Sequence, residues 1–321
     1  MLGSMTVPDI AGSIVVTGPT RGLGRALVPL LAAARPSAVL VLVGRPGPAL
    51  EAAAEAVTAR GARAVTVPCD LTSLEQVRTA VATVRSAVAG GELPPVAALV
   101  SNAGVQTADR RQVTADGHEL TFGVNVLAPH VLVEGLRPAM ADGAHVVLLG
   151  SGTHHGDRSM GLVDPPRWED PRALARPDGP DGDPRAGSRA YATSKLAVLH
   201  QAHEWDRRYG DGVPALRVNV YDPGLMPGTG LARRRTRLEQ FAWSWLMPVL
   251  RVLPTVTTPQ RSARALADLV LGRTHAGLRG GYVVIGAVEQ PSAASSDLAR
   301  ERELWRACTE LTGVPSVAAP A

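Results

Sequence analysis

Short apolar runs of strand length alternate with helix-length segments along most of this chain, and that alternation limits what it can fold into. SIVVT (13–17) precedes RGLGRALVPLLAAA (21–34), and AVLVLVG (38–44) precedes ALEAAAEAVTARG (49–61). ARAVTVP (62–68) precedes SLEQVRTAVATVRSAVAG (73–90), and VAALVS (96–101) precedes a helical stretch around 117–140. AHVVLLGS (144–151), ALRVNVYDPG (215–224) and GYVVIG (281–286) supply a fifth, sixth and seventh strand. Strands apolar on both sides and separated by helices belong to a parallel sheet covered on both faces. The expected fold is therefore α/β: one doubly wound, Rossmann-type domain over residues 1–321, with a mostly parallel seven-stranded sheet. Residues 156–188, rich in Pro, Gly, Asp and Arg without periodicity, read as a surface insertion before the next helix.

Composition narrows the function classes. With 45% hydrophobic residues the chain can bury a sizeable core. Cys69 and Cys308 are its only cysteines, which gives no disulfide framework and fits a reducing, cytoplasmic setting. MLGSMTVPDI lacks the basic start and long apolar run of a secretory signal. FAWSWLMPVLRVL (241–253) is shorter than the roughly 20 residues a membrane span needs, and it holds Pro248 and Arg251. The formal charge of +4 is spread among mixed charges rather than gathered into a nucleic-acid face. The one dense run, RRRTR (233–237), reads as a solvated helix start or as a site for an anionic ligand.

TGPTRGLG (17–24) stands where the first strand ends and the first helix begins. There Gly18 permits a tight turn, while Gly22 and Gly24 let a pyrophosphate approach the backbone amides and the positive end of the helix. Thr17, Thr20, Arg21 and Leu23 complete the cradle. The second strand ends in Gly44-Arg45 with no acid at that turn, and Arg21 lies in the loop itself. Arginine suits a ribose 2′-phosphate where an acid suits a free 2′-OH, so the expected cofactor is NADP(H).

YATSK (191–195) holds the only lysine of the chain; the other 32 of its Lys and Arg residues are arginines. At i and i+4 of a helix, Tyr191 and Lys195 share a face, so one ammonium can act on the phenol and still reach a neighbouring ligand. A nearby positive charge favours phenolate, which would make Tyr191 a general acid or base. Lysine, a compact ammonium on a flexible stem, fits this place better than the broad arginine fork.

At these residues the chain resembles the short-chain dehydrogenase/reductase family. It carries TGxxxGxG at 17–24, Asp70 in CDL after the third strand, SNAG at 101–104, Asn125 in TFGVN, Ser151, and YxxxK, in family order across nearly the whole chain. By that resemblance Asp70, with Leu71 beside it, would contact the adenine. Asn102, Ala103 and Gly104 would line the cofactor, and Asn125 would hold a proton-relay water. Ser151 would hydrogen-bond the substrate oxygen, Tyr191 would exchange the proton, and both Tyr191 and Lys195 would touch the nicotinamide ribose. In DPGLMPGTGL (222–231), Pro223, Gly224 and Thr229 match the segment that contacts the nicotinamide carboxamide.

Ser151 and Tyr191 are 40 positions apart, more than in compact members of the family. ELTFGVN (119–125), the long insertion and the ending ARERELWRACTELTGV (299–314) are similar to the branch containing retinol dehydrogenases and protochlorophyllide reductases. No cysteine stands near YATSK, which removes one feature of the latter enzymes. Residues 229–256, with Trp243 and Trp245, occupy the usual place of a substrate lid, or else pack on the sheet or on another copy. Thr153 and His154 join them as substrate-pocket candidates. No metal is expected, because His154 and His155 lack accompanying ligands at zinc spacing.

The expected activity is reduction of a bulky, largely apolar ketone or aldehyde, polycyclic or polyketide-like, of the kind met in secondary metabolism. A nonredox cyclase, dehydratase or epimerase on the same scaffold, and a noncatalytic NADP(H) sensor, stay open, as does assembly into a homo-oligomer.

Overall fold

In a computed structural model the described residues are 12–156, 164–179, 183, 186–226 and 257–314. Eight strands form one sheet in the order β3-β2-β1-β4-β5-β6-β7-β8. They are β1 (Ser13–Thr17), β2 (Val39–Gly44), β3 (Arg63–Pro68), β4 (Val96–Ser101), β5 (Met140–Leu149), β6 (Leu216–Asp222), β7 (Tyr282–Val284) and β8 (Ala287–Glu289). Every pairing is parallel except β7 with β8. The expected parallel sheet is present; the eighth strand is an addition. Its three exposed residues carry no hydrophobic alternation, and it exists because Ile285 (φ 48°) and Gly286 (φ 97°) turn the chain back on β7.

Strand order reverses at β1, which pairs β2 on one side and β4 on the other. The carboxyl ends of β1 and β4 therefore open a crevice, the place where such sheets bind ligands. One face of the sheet is covered by α1 (Gly22–Ala34), α2 (Pro48–Thr58) and α8 (Pro259–Val270), through Leu27, Leu31, Leu50, Val57 and Leu266. The other is covered by α3 (Leu74–Ala89), α5 (Ala128–Leu136), α7 (Ala186–Tyr209) and α9 (Leu298–Thr312), packed around the fully buried Trp205. Cys69 and Cys308 are both free thiols in the core. Among the described residues no helix is long and apolar enough to cross a membrane.

The helical stretch expected around 117–140 is present over Leu120–Leu136 as three contiguous segments. Glu119 caps a single turn, α4 (Leu120–Phe122), accepting from the amides of Thr121 and Phe122 at 2.9 and 2.7 Å. A π-helical turn, Gly123–Leu127, follows before α5 begins. The extra residue it accommodates swings Asn125 toward the crevice mouth.

The 156–188 insertion has a packed part. Arg110 donates to the carbonyls of Ala173, Leu174 and Arg176 and pairs with Asp178. A short helix, α6 (Pro171–Leu174), is bonded to α9 through Arg172 and Glu310. Trp168 meets His200 of α7 edge-on, 4.7 Å between ring centroids.

Candidate active site

The glycine loop leaves β1 at Gly18 (φ 64°) and enters α1 at Gly22 (φ 48°). A Cβ on Gly24 would lie 2.2 Å from the Gly18 carbonyl oxygen, so only glycine lets the helix sit so close beneath the strand. Asn102 fixes the turn from the end of β4: its Nδ2 donates to the carbonyls of Thr17 and Gly18 at 2.9 and 3.0 Å. The Thr17 hydroxyl returns the link by accepting from the Ala103 amide at 3.0 Å. α1 has no side-chain cap and no acid in its first turn. Its first amides thus point into the crevice, where an anion could meet them together with the positive helix end. Arg21 and Arg45 are exposed at the rim, Leu23 is buried behind the loop, and Thr20 is half-buried. This cradle fits a dinucleotide pyrophosphate, with two arginines beside it for a further phosphate.

Asp70 follows β3, where the Cys69 amide is bonded to the Gly44 carbonyl at 2.8 Å. One carboxylate oxygen of Asp70 accepts from the Thr72 amide at 3.0 Å, which shapes the turn into α3; Leu71 lies in the same turn. Ser73 then caps the helix, as a turn residue followed by LTSLEQ would have it.

Around the far end of the crevice the structure brings four of the expected side chains together. Tyr191 and Ser151 share a side-chain hydrogen bond. Lys195 is 5% exposed, and its Nζ donates to the Leu149 carbonyl at 2.7 Å and stands 5.5 Å from the centre of the Tyr191 ring. Asn125 is locked by its π turn: Oδ1 accepts from the Val105 amide, and Nδ2 donates to the Val105 carbonyl and to Ser194 Oγ at 3.0 Å. A Cβ on Gly104 would approach Asn125 Oδ1 to 3.2 Å and Lys195 Nζ to 3.8 Å, so SNAG forms the floor joining the glycine loop to the Tyr–Lys pair.

The electrostatics differ from the sequence expectation in one respect. The Tyr191 phenol is pushed well above the usual tyrosine range, first by burial and then by the charge of Asp222, while the Ser151 bond pulls the other way. Burial therefore dominates, and Tyr191 holds its proton at neutral pH. Burial also pulls the Lys195 ammonium down to about 8, with Asp222 opposing.

Asp222 was missed by sequence reasoning, because an acid before Pro-Gly reads as a turn former. The signal was available: an acidic residue closing an apolar strand at the carboxyl edge of the sheet. Gly224 (φ 72°) donates its amide to Asp222 Oδ1 at 2.8 Å, and Pro223 lies between them. Tyr282 of β7 donates its hydroxyl to Oδ2 at 2.6 Å.

His154 is buried under Ser151. Its Nδ1 faces the Ser151 carbonyl at 2.7 Å and its Nε2 accepts from the Ser292 amide at 3.1 Å, a pair of contacts that selects the Nδ1–H tautomer. Thr153 Oγ1 is buried with no hydrogen-bond partner among the described residues. Thr229, Trp243 and Trp245, with the whole 229–256 segment expected as a lid, lie outside the described residues. Among the described residues no group of three or more His, Cys, Asp or Glu is placed to hold a metal ion.

The chain is similar to several known proteins. The family model described as short chain dehydrogenase matches residues 13–160. Protochlorophyllide reductase A of barley, Hordeum vulgare, is 30% identical over 325 residues, covering 94% of this chain and 81% of that protein. Polyprenol dehydrogenase of Mus musculus is 30% identical over 309 residues, covering 93% and 83%. The crystal structure of a blue fluorescent protein from a metagenomic library, in complex with NADPH, superposes with a TM-score of 0.61 at 26% identity, covering 89% of this chain and 98% of that one.

Proposed function

Since the chain belongs to the short-chain dehydrogenase/reductase family, we propose that it is an NADP(H)-dependent oxidoreductase that reduces the carbonyl of a bulky, largely apolar small molecule to an alcohol. The observation that carries this reading is the convergence of Tyr191, Ser151, Lys195 and Asn125 beside the glycine cradle. Arg21 and Arg45, both exposed, with no acid in the turn that follows β2, support a cofactor bearing a 2′-phosphate.

In this reading Thr17 to Gly24 hold the pyrophosphate, Asp70 and Leu71 face the adenine, and Asn102 to Gly104 line the crevice. Pro223 and Gly224 would hold the carboxamide end, with Thr229 its expected partner in the sequence that follows. When bound there, a reduced nicotinamide would supply hydride to a substrate carbonyl carbon. Ser151 and Tyr191 grip the carbonyl oxygen, and Tyr191 donates its proton as negative charge develops there. Lys195, fixed by the Leu149 carbonyl, stabilises the phenolate left behind, and Asn125 and Ser194 lie where a proton can return.

The substrate reading rests on the length of the 156–188 insertion and on Trp243 and Trp245 in the sequence after Gly224. It is tested by following NADPH oxidation with a panel of polycyclic ketones beside small aliphatic ones. Turnover concentrated in the bulky members and abolished in Tyr191→Phe is the expected result. Turnover of small ketones alone, unchanged when Trp243 and Trp245 become Ala, overturns the substrate class.

A further inference from the structure

The charge of Asp222 has no counterpart among the roles considered so far. The residue ends β6, is 5% exposed, and is surrounded by donors: the Gly224 amide on Oδ1, the Tyr282 hydroxyl on Oδ2, and the Gly152 amide. Two of the three contacts are backbone amides that can only donate, and the Tyr282 hydroxyl can donate as well; together they suit a carboxylate. Burial raises the pKa of the group, while the hydrogen bonds and the Lys195 charge lower it. A turn cap before Pro223 needs no charge at all, since Asn or Ser would accept the Gly224 amide equally well. A buried charge is costly unless it is paired; among the described residues the Lys195 ammonium lies nearby, bonded to the carbonyl of Leu149, whose register partner on β6 is Tyr221, the residue before Asp222.

We propose that Asp222 is a positioning residue for the proton transfer, a buried counter-charge that acts through Lys195 and Tyr191 and sets the pH range in which the pair works. The proposal rests on the reading of Tyr191 and Lys195 as the proton-transferring pair. Its sign is fixed by charge alone. A carboxylate makes it harder to remove a proton from either neighbour, because it attracts the ammonium and repels the phenolate. Neutralising it weakens the hold on every proton of the coupled pair, so each apparent titration moves to lower pH whichever group titrates first.

The groups that face Asp222 come from three directions. α7 contributes Tyr191 and Lys195, β7 contributes Tyr282, and the segment after β5 contributes Ser151 and Gly152. Behind Tyr282, the rings of His154 and His155 lie 5.0 and 6.3 Å from its ring. His154 is bonded on both ring nitrogens to backbone, and among the described residues Asp222 and Lys195 are charged groups at this end of the crevice.

Because the chain has one lysine, full-length protein grown on [ε-13C]lysine gives a single lysine NMR signal, and its chemical shift reports the protonation of Lys195 with no substrate or cofactor present. The Lys195 midpoint is expected to fall by at least about one pH unit in Asp222→Asn, as for loss of a close opposite charge. Tyr282→Phe keeps the carboxylate and is expected to leave the midpoint near that of the unmodified protein. Should Asn at 222 fail to fold, Asp222→Ser is read in the same way. An unchanged midpoint, or equal shifts in the Asp222 and Tyr282 variants, assigns Asp222 a purely structural role and overturns the proposal. In the pH profile of NADPH-dependent reduction, Asp222→Asn is expected to move the alkaline limb to lower pH. Failure of the unmodified protein to reduce any carbonyl would count against the functional reading while leaving the lysine titration to decide this one.

Discussion

The Lys195 ammonium donates to the carbonyl of Leu149, the last residue of β5, at 2.7 Å. This bond ties the catalytic-helix cation to the central sheet and explains why the chain keeps one lysine among many arginines. The pocket holds a side chain 5% exposed, with the Gly104 backbone close to its tip. A planar guanidinium is broader and cannot take that single carbonyl without pushing on the Gly104 floor. Lys195→Arg is therefore expected to leave the protein folded and to lower kcat by roughly 100-fold or more, the scale of one acid–base contribution. Circular dichroism and single-turnover reduction check the two halves of this statement.

Gly24→Ala places a methyl against the Gly18 carbonyl, with 2.2 Å between Cβ and oxygen where van der Waals contact needs about 3.4 Å or more. Backbone must move, so the variant is expected to lose about 1–3 kcal/mol of stability and most of its NADPH affinity. Denaturant unfolding and NADPH fluorescence titration measure each loss.

Cofactor choice is expected to follow Arg45. Arg45→Asp removes a phosphate partner and supplies an acceptor for a free ribose hydroxyl. The ratio of kcat/KM for NADPH over NADH should fall by roughly 10–100-fold, as for loss of one charge-assisted contact. A ratio that stays put places the 2′-phosphate on Arg21 instead.

Much of this fold was legible in the sequence for one reason: a parallel sheet buried on both faces writes uninterrupted apolar runs, such as VLVLV and VVLL, whose position needs no tertiary information. The Tyr191–Lys195 relation was equally legible, since i and i+4 on any helix share a face. Asp222 was not, because its partners Lys195 and Tyr282 come from elements 27 and 60 positions away in the chain. The π turn at Asn125 escaped for a different reason: one extra residue in a helix leaves the hydrophobic period almost unchanged. Trp168 lay in a stretch with no periodicity at all, and its packing on His200 is fixed only by the helix beside it.

Acid stability is expected to be poor. His130, His145 and His200 are almost wholly inaccessible, and burial pulls their pKa down to about 3, about 3 and about 4. A histidine whose folded pKa lies below its unfolded value near 6.5 contributes stability above pH 6.5 and loses it as pH falls toward the folded value. At pH 5 each of the three costs about 2 kcal/mol relative to pH 7. Urea midpoints measured between pH 7.5 and 5 should drop steeply, and His130→Leu should flatten the slope by one proton. A midpoint flat across that range would show that these histidines titrate normally.

The central claim, hydride transfer to a substrate carbonyl with Tyr191 as the acid, is tested most directly by incubating the protein with NADPH deuterated at the transferring position and a mixture of bulky ketones, beside Tyr191→Phe. The account predicts alcohol carrying deuterium on the former carbonyl carbon, and its disappearance in the variant even though NADPH still binds. Product formed without deuterium, or labelled alcohol formed equally by Tyr191→Phe, would contradict it.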